Sequence, residues 1–141
     1  CGGEAFASVV GASAGVAVDK SGKLRLHHSV AAPGPGRAVN PQQVEAQGEG
    51  SFVCGLSVLL YGGIRIKVGS VQQQNFDSDP SMLISEMPEV EVIVMPSGGF
   101  WGGIGEPTIV VAAPAVLNAI FAATGKRIRE FPLNNTDLRP A

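Results

Sequence analysis

Charge is sparse in this sequence. Only 16% of its 141 residues are Asp, Glu, Lys or Arg, and the net charge is −2. Without a basic block it has no footprint for nucleic acid or for an anionic membrane surface. Cysteine is scarcer still: with only Cys1 and Cys54, a disulfide framework and a metal site of cysteine spacing are excluded. Cys54 lies in an apolar run and reads as a small core residue. The two histidines, His27 and His28, are adjacent. On a strand they point to opposite faces, so they cannot share a metal ion or build a Ser-His-acid set. The longest apolar run, Ile109 to Ala123, is interrupted by Pro114 and Asn118. It is too short to span a bilayer and reads as a buried helix. The start, Cys1-Gly2-Gly3-Glu4, carries neither Met nor a signal peptide and reads as a piece cut from something longer.

What the chain does have is apolar residues (45%) and 19 glycines over one domain's worth of length. A surface this poor in charge suggests that part of it is normally covered. Residues 6–18 alternate small and β-branched side chains, Asp19 to Gly22 turns, and Leu24, Leu26 and Val30 resume, which predicts a β-hairpin. Ala32-Pro33-Gly34-Pro35-Gly36-Arg37 is expected to end it. Asn40-Pro41-Gln42-Gln43 is a helix start with a cap, and Gly62-Gly63 a stop, predicting a helix over about 41–61. Gly48, Gly50 and Gly55 inside it each cost about 1 kcal/mol against Ala, so another backbone or a bulky ligand is expected close by. Ile64, Ile66 and Val68 predict a strand with a second short arm at Val71, and Val90, Val92 and Val94 predict another. A helix over about 108–124 presents Ala113, Leu117, Ile120 and Phe121 and stops at Gly125. Residues 134–141 read as a frayed polar tail.

Between the last strand and that helix runs Gly98-Gly99-Phe100-Trp101-Gly102-Gly103-Ile104-Gly105-Glu106-Pro107. Glu106 rises from backbone nearly bare of side chains. One reading is a helix-start carboxylate suited to the positive end of a helix dipole; the other is a general base held beside a bound electrophile. No Gly-Lys-Ser/Thr follows, so this is no phosphate loop, and its spacing fails the dinucleotide fingerprint. The scattered carboxylates offer no glycosidase pair.

Gly103-Ile104-Gly105-Glu106-Pro107, followed by Ala113 to Arg129, resembles the C-terminal end of the molybdenum-binding subunit of the xanthine dehydrogenase/aldehyde oxidase family, nearest to the isoquinoline 1-oxidoreductase β-subunit group. Gly36-Arg37-Ala38-Val39-Asn40-Pro41, Gln47-Gly48-Glu49-Gly50 and Asn75-Phe76 match it in order and spacing, so the resemblance runs from about Glu4 to Leu133. It departs at Pro33-Gly34-Pro35-Gly36 and at Asp77-Ser78-Asp79-Pro80.

The resemblance implies a bacterial hydroxylase that inserts water-derived oxygen into an N-heterocycle or aldehyde C–H bond. It implies a molybdenum–molybdopterin cytosine dinucleotide cofactor, 2Fe-2S clusters on a small partner subunit, and cytochrome c as a candidate electron acceptor. In that scheme Glu106 matches the catalytic base, Gln47 the glutamine that hydrogen-bonds the pterin, and the backbone of Gly102, Gly103, Ile104 and Gly105 lies against the cofactor. No residue here is expected to bind the metal directly. Trp101 is expected to line a substrate path or to pack on the rest of the subunit. Alternatives are a non-catalytic interaction domain that keeps the fold without cofactor, and a self-contained binding module. The expected architecture is one α+β domain, a C-terminal part of a longer subunit with antiparallel strand pairs packed by two helices. Alone it is expected to be inactive, and to self-associate or be marginally stable.

Overall fold

The computed structural model describes residues 1–139. Six strands and two long helices follow the order β1 (Gly2–Ala5), β2 (Ser8–Val18), β3 (Leu24–Gly34), α1 (Pro41–Tyr61), β4 (Ile66–Lys67), β5 (Ser70–Val71), β6 (Glu89–Val92) and α2 (Gly105–Thr124). The main sheet runs β1-β2-β3-β6; β4 and β5 pair only with each other. The first three strands are antiparallel, and β6 joins β3 in parallel. The α+β architecture with two helices is as expected.

Alternation places Ser8, Val10 and Ala12 of β2 under the helices, where Val10 meets Phe52, Leu56, Val111, Val116 and Ile120 in one buried cluster. Asn40 caps α1 by accepting from the Gln43 amide, Pro41 follows at the first helical position, and Gly62 closes the helix. Gly125 ends α2 in the left-handed conformation with φ +73°. Phe52, Leu56 and Leu59 recur on one face of α1 and fill the core. Cys54 falls off that face and is exposed, contrary to the core position expected for it. The face of α2 differs too. Val111, Ala112, Ala115, Val116 and Ile120 are buried, whereas Ala113 and Leu117 are half-buried and Phe121 is exposed. α2 begins three residues earlier than expected, and Pro114 lies inside it without ending it. By length and composition alone its 20 residues would suffice to cross a membrane, a test that a core helix also passes, and 44% of its most apolar stretch is buried inside the fold. Here it packs on β2 and α1.

Other sequence expectations needed correction. Phe6-Ala7 is a two-residue turn with both φ positive, at 50° and 61°, joining β1 to β2. Neither residue carries the usual turn chemistry, so β1 left no signal. β3 continues through Pro33 to Gly34, because the carbonyl of Pro33 accepts from Met95 and extends the parallel ladder. A bulge pairs Gly15 with His28 and Val16 with Leu26, leaving His27 unmatched. The buried face thus passes from Leu26 to Ser29, and both histidines fall off it, not on opposite faces. His28 lies 3.7 Å from Glu91 on β6. The tail is tied down to Arg139: Asp137 accepts from Arg139, Lys126 donates to the Asp137 carbonyl, and Leu138 is buried. Residues 140–141 of the expected frayed tail lie outside the described residues.

At the far end of α1, the Tyr61 hydroxyl donates to Glu86, whose carboxylate also accepts from the Leu83 amide. The two Glu86 bonds hold its carboxyl below the usual range, and the bond to Glu86 pushes Tyr61 up to about 12. The lowered Glu86 makes its contribution above its unfolded value and loses it as pH falls through the folded one. The raised Tyr61 contributes below pH 10 and loses it as pH rises toward about 12. An absorbance titration of this chain's single tyrosine should therefore show a midpoint near 12, which Glu86→Gln returns toward 10.

Candidate cofactor-facing end

The start of α2 meets the second turn of α1 at one end of the molecule. Asn40 starts α1 so that Gln47, two turns in, is exposed beside the start of α2, where a Cβ on Gly105 would lie 3.0 Å from the Gln47 amide nitrogen. The next residue, Glu106, is exposed. Gln47 and the Gly105-Glu106 step are therefore brought together, although 58 residues separate Gln47 from Gly105 in the chain. α2 starts without a side-chain cap at Ile104, so its first backbone N–H groups have no partner within the helix. Because Pro107 has no N–H, the donors at this edge are the Gly105 and Glu106 backbone amides and the Gln47 side-chain amide, on which a ligand bearing acceptors can rest.

The glycine loop is held by its neighbours. Gly102 donates to the Pro35 carbonyl at 2.9 Å, Gly103 donates to the Phe6 carbonyl at 2.9 Å, and Ser97 and Gly98 donate to Gly36. Gly36 has φ +80°, and the Phe100 carbonyl occupies the place of its missing Cβ. A Cβ on Gly102 would meet the Ser8 hydroxyl and lie 2.7 Å from the Ala7 carbonyl oxygen; one on Gly103 would lie 3.1 Å from Phe6 Cβ. The bareness of Gly102 and Gly103 thus has a cause inside the fold, the strained Phe6-Ala7 turn beneath them. Ser8 is fully buried there, and its hydroxyl has no hydrogen-bond partner among the described residues. That turn is the part of the site that sequence reasoning missed.

The α1 glycines divide. A Cβ on Gly55 would lie 2.7 Å from the Ile109 carbonyl of α2, and one on Gly48 3.0 Å from Val92. Both let neighbours approach, as expected. Ser51 is buried and donates to the Gln47 carbonyl, while Glu49 is exposed. Gly50 has nothing within 4 Å. Gly50→Ala should therefore raise the stability of this chain by about 1 kcal/mol, as read by denaturant melts. A loss instead would mean that the surroundings of Gly50 are not open.

Glu106 does not sit in a dry pocket of this chain's making. Phe100 and Trp101, just upstream, are exposed too, Trp101 at 61%. Clefts on the surface lie around Ile64 to Pro80, around Lys126 to Asp137, and between the start of α1 and β6, the last lined by Pro41, Glu45 and Val92 but not by Glu106. Among the described residues no cluster of His, Cys, Asp and Glu could hold a metal ion.

No protein-family model matches the chain. It is 31% identical over 98 residues to the β subunit of isoquinoline 1-oxidoreductase of Brevundimonas diminuta, a match that covers 70% of this chain and 12% of that protein. It is 32% identical over 130 residues to a nicotinate dehydrogenase subunit of Pseudomonas putida, covering 91% of this chain and 11% of that protein. A membrane-bound aldehyde dehydrogenase (pyrroloquinoline-quinone) of Gluconacetobacter polyoxogenes is 35% identical over 73% of this chain and 13% of its own length. Among solved structures, a Cu,Mo-CO dehydrogenase superposes with a TM-score of 0.80 at 20% identity, over 93% of this chain and 18% of the other. Quinoline 2-oxidoreductase from Pseudomonas putida 86 does so with 0.77 at 20% identity, over 89% and 17%. At such identities the superpositions show the fold. The chain spans 11–13% of the length of these three curated relatives. It belongs to the molybdenum-binding subunits of the xanthine dehydrogenase/aldehyde oxidase family, of which it represents a partial segment.

Proposed function

We propose that this segment supplies the catalytic base and part of the pterin cradle of a molybdenum hydroxylase acting on an aldehyde or an N-heterocycle. The observation that carries the reading is the meeting of the exposed Gln47 amide with Gly105, one residue before Glu106. The donor set fits the group. A pterin edge presents ring nitrogens and a carbonyl, and here an amide side chain and uncapped helix N–H groups face the same space. The molybdenum–molybdopterin cofactor, in its cytosine dinucleotide form, supplies the two-electron oxidation of a substrate C–H carbon with oxygen derived from water. Gln47 would hydrogen-bond the pterin, and the backbone of Gly102 to Gly105 would lie against it, the Gly102 and Gly103 amides being held by Pro35 and Phe6. Glu106 accepts, at a carboxylate oxygen, the proton released as the water-derived oxygen becomes nucleophilic.

Because Glu106 is exposed in this chain, the walls that exclude water from it come from the rest of the polypeptide. Electrons leave through 2Fe-2S clusters on a partner subunit, with cytochrome c as a candidate acceptor. Metal and pterin analysis of the full-length subunit tests the cofactor directly. Molybdenum with a pterin is expected. Pyrroloquinoline-quinone in its place, the cofactor in the name of the Gluconacetobacter relative, would overturn the reading. A panel of aldehydes and N-heterocycles then decides the substrate.

A further inference from the structure

The end of α1 away from Glu106 carries a second unusual surface. Tyr61 lies 14 residues beyond Gln47 along the helix, about 21 Å at 1.5 Å per residue, so this surface is separate from the cofactor-facing end. Here β4 and β5 contribute two residues each and pair with nothing else. A hairpin that small is marginal by itself in water. Its turn is strained as well, with the β-branched Val68 at φ +50°. Ile64 just before the hairpin, Ile66 on it and Leu83 beyond it are exposed, while Val68, Phe76 and Ile84 are 96%, 93% and 91% exposed. Ile64 also walls three clefts: one of about 350 Å³ floored by the end of α1, one of about 440 Å³ reaching Pro132, and one of about 310 Å³ shared with Phe76. Such a concentration of apolar surface marks a contact site.

We infer that the 64–84 face docks onto another stretch of the same long polypeptide. Two observations select that occupant. Nearly nine-tenths of the length of the curated relatives lies outside the matched segment, so ample polypeptide of the same subunit is available to cover the face. Over residues 64–84, Arg65 and Lys67 balance Asp77 and Asp79, so the face has no net charge with which to select an acidic or a basic partner. It suits an apolar, permanently joined neighbour. Ile64, Ile66, Phe76 and Ile84 are the side chains that enter it. This inference rests on family membership and length, not on the chemistry of Glu106.

Hydrogen exchange on the full-length subunit, purified without its partner, tests it. The amides of residues 64–84 should exchange at least tenfold more slowly than unstructured chain, and Ile66→Asp should remove that protection while pterin content is retained. Exchange at the unstructured rate in the wild-type subunit would overturn the inference, and this reading does not require Ile66→Asp to fold. Protection that appears only on adding the 2Fe-2S subunit, or only as concentration rises, would also overturn it by assigning the face to a different protein or to a second copy. Because no outcome depends on turnover, failure here and failure of the catalytic reading are distinguishable.

Discussion

Glu106→Gln in the full-length subunit is expected to lower kcat by about a hundredfold or more while molybdenum and pterin contents stay unchanged. The magnitude follows from the job: a positioned general base contributes roughly 10²–10⁴ in rate, and glutamine keeps the size of the side chain while losing the ability to accept a proton. The fold should survive. Glu106 is exposed at the second position of α2 and is named in no side-chain bond among the described residues. Its favourable position at the helix N-terminus is worth about 0.3–1 kcal/mol, small against the core built on Phe52, Leu56 and Ile120. The helix-start reading and the catalytic reading therefore separate. As a dipole partner alone, Glu106 could be replaced with a slight loss of stability and no loss of rate. Full turnover in a loaded Glu106→Gln subunit would refute its role as the base.

The helices were legible because their punctuation is local. Asn40-Pro41 at one end of α1 and Gly62 at the other are capping chemistry that neighbours cannot override, and the observed bounds of α1 match the expected 41–61. The glycines at 48 and 55 signalled close approach, and the approaching groups are Val92 and α2. What was not legible depends on contacts distant in sequence. Phe6-Ala7 forms a turn because both flanking strands pair and Gly103 bonds its carbonyl. Pro33 stays in β3 because a later segment needs its carbonyl, not its missing N–H. The bulge at His27 resets the parity of β3, which no alternation count could anticipate. The buried face of α2 was misjudged for a related reason. Its residues are apolar nearly all round, so periodicity alone could not say which side meets β2. At the site, the residues came from the Gly-Ile-Gly-Glu-Pro signature, but their meeting with Gln47 is a property of how α1 and α2 pack.

Gly102→Ala should do the second-largest damage, and through geometry, not through loss of a functional group. The added methyl has nowhere to go: the Ser8 hydroxyl lies in its place and the Ala7 carbonyl oxygen is 2.7 Å away. Both belong to the sheet and its tight turn, so the loop must yield. Gly102 also donates to Pro35, and Gly103 to Phe6; lifting the loop strains or breaks both bonds. Overpacking of this kind costs about 1–3 kcal/mol, and a reacting group misplaced by about 1 Å can lose about a hundredfold in rate. The expected result is a full-length subunit that folds, melts somewhat lower, and turns over ten- to a hundredfold more slowly with Glu106 still present. The Ser8 hydroxyl makes the cause testable. Buried without a partner among the described residues, it contributes nothing that Ser8→Ala would remove, so that variant alone should be neutral or slightly stabilising. Ser8→Gly combined with Gly102→Ala clears the Ser8 side of the collision but leaves the Ala7 carbonyl, and should restore part of the lost rate. If Gly102→Ala is silent, or if the double variant is no better than the single one, the Phe6-Ala7-Ser8 turn is not what holds Glu106 in place.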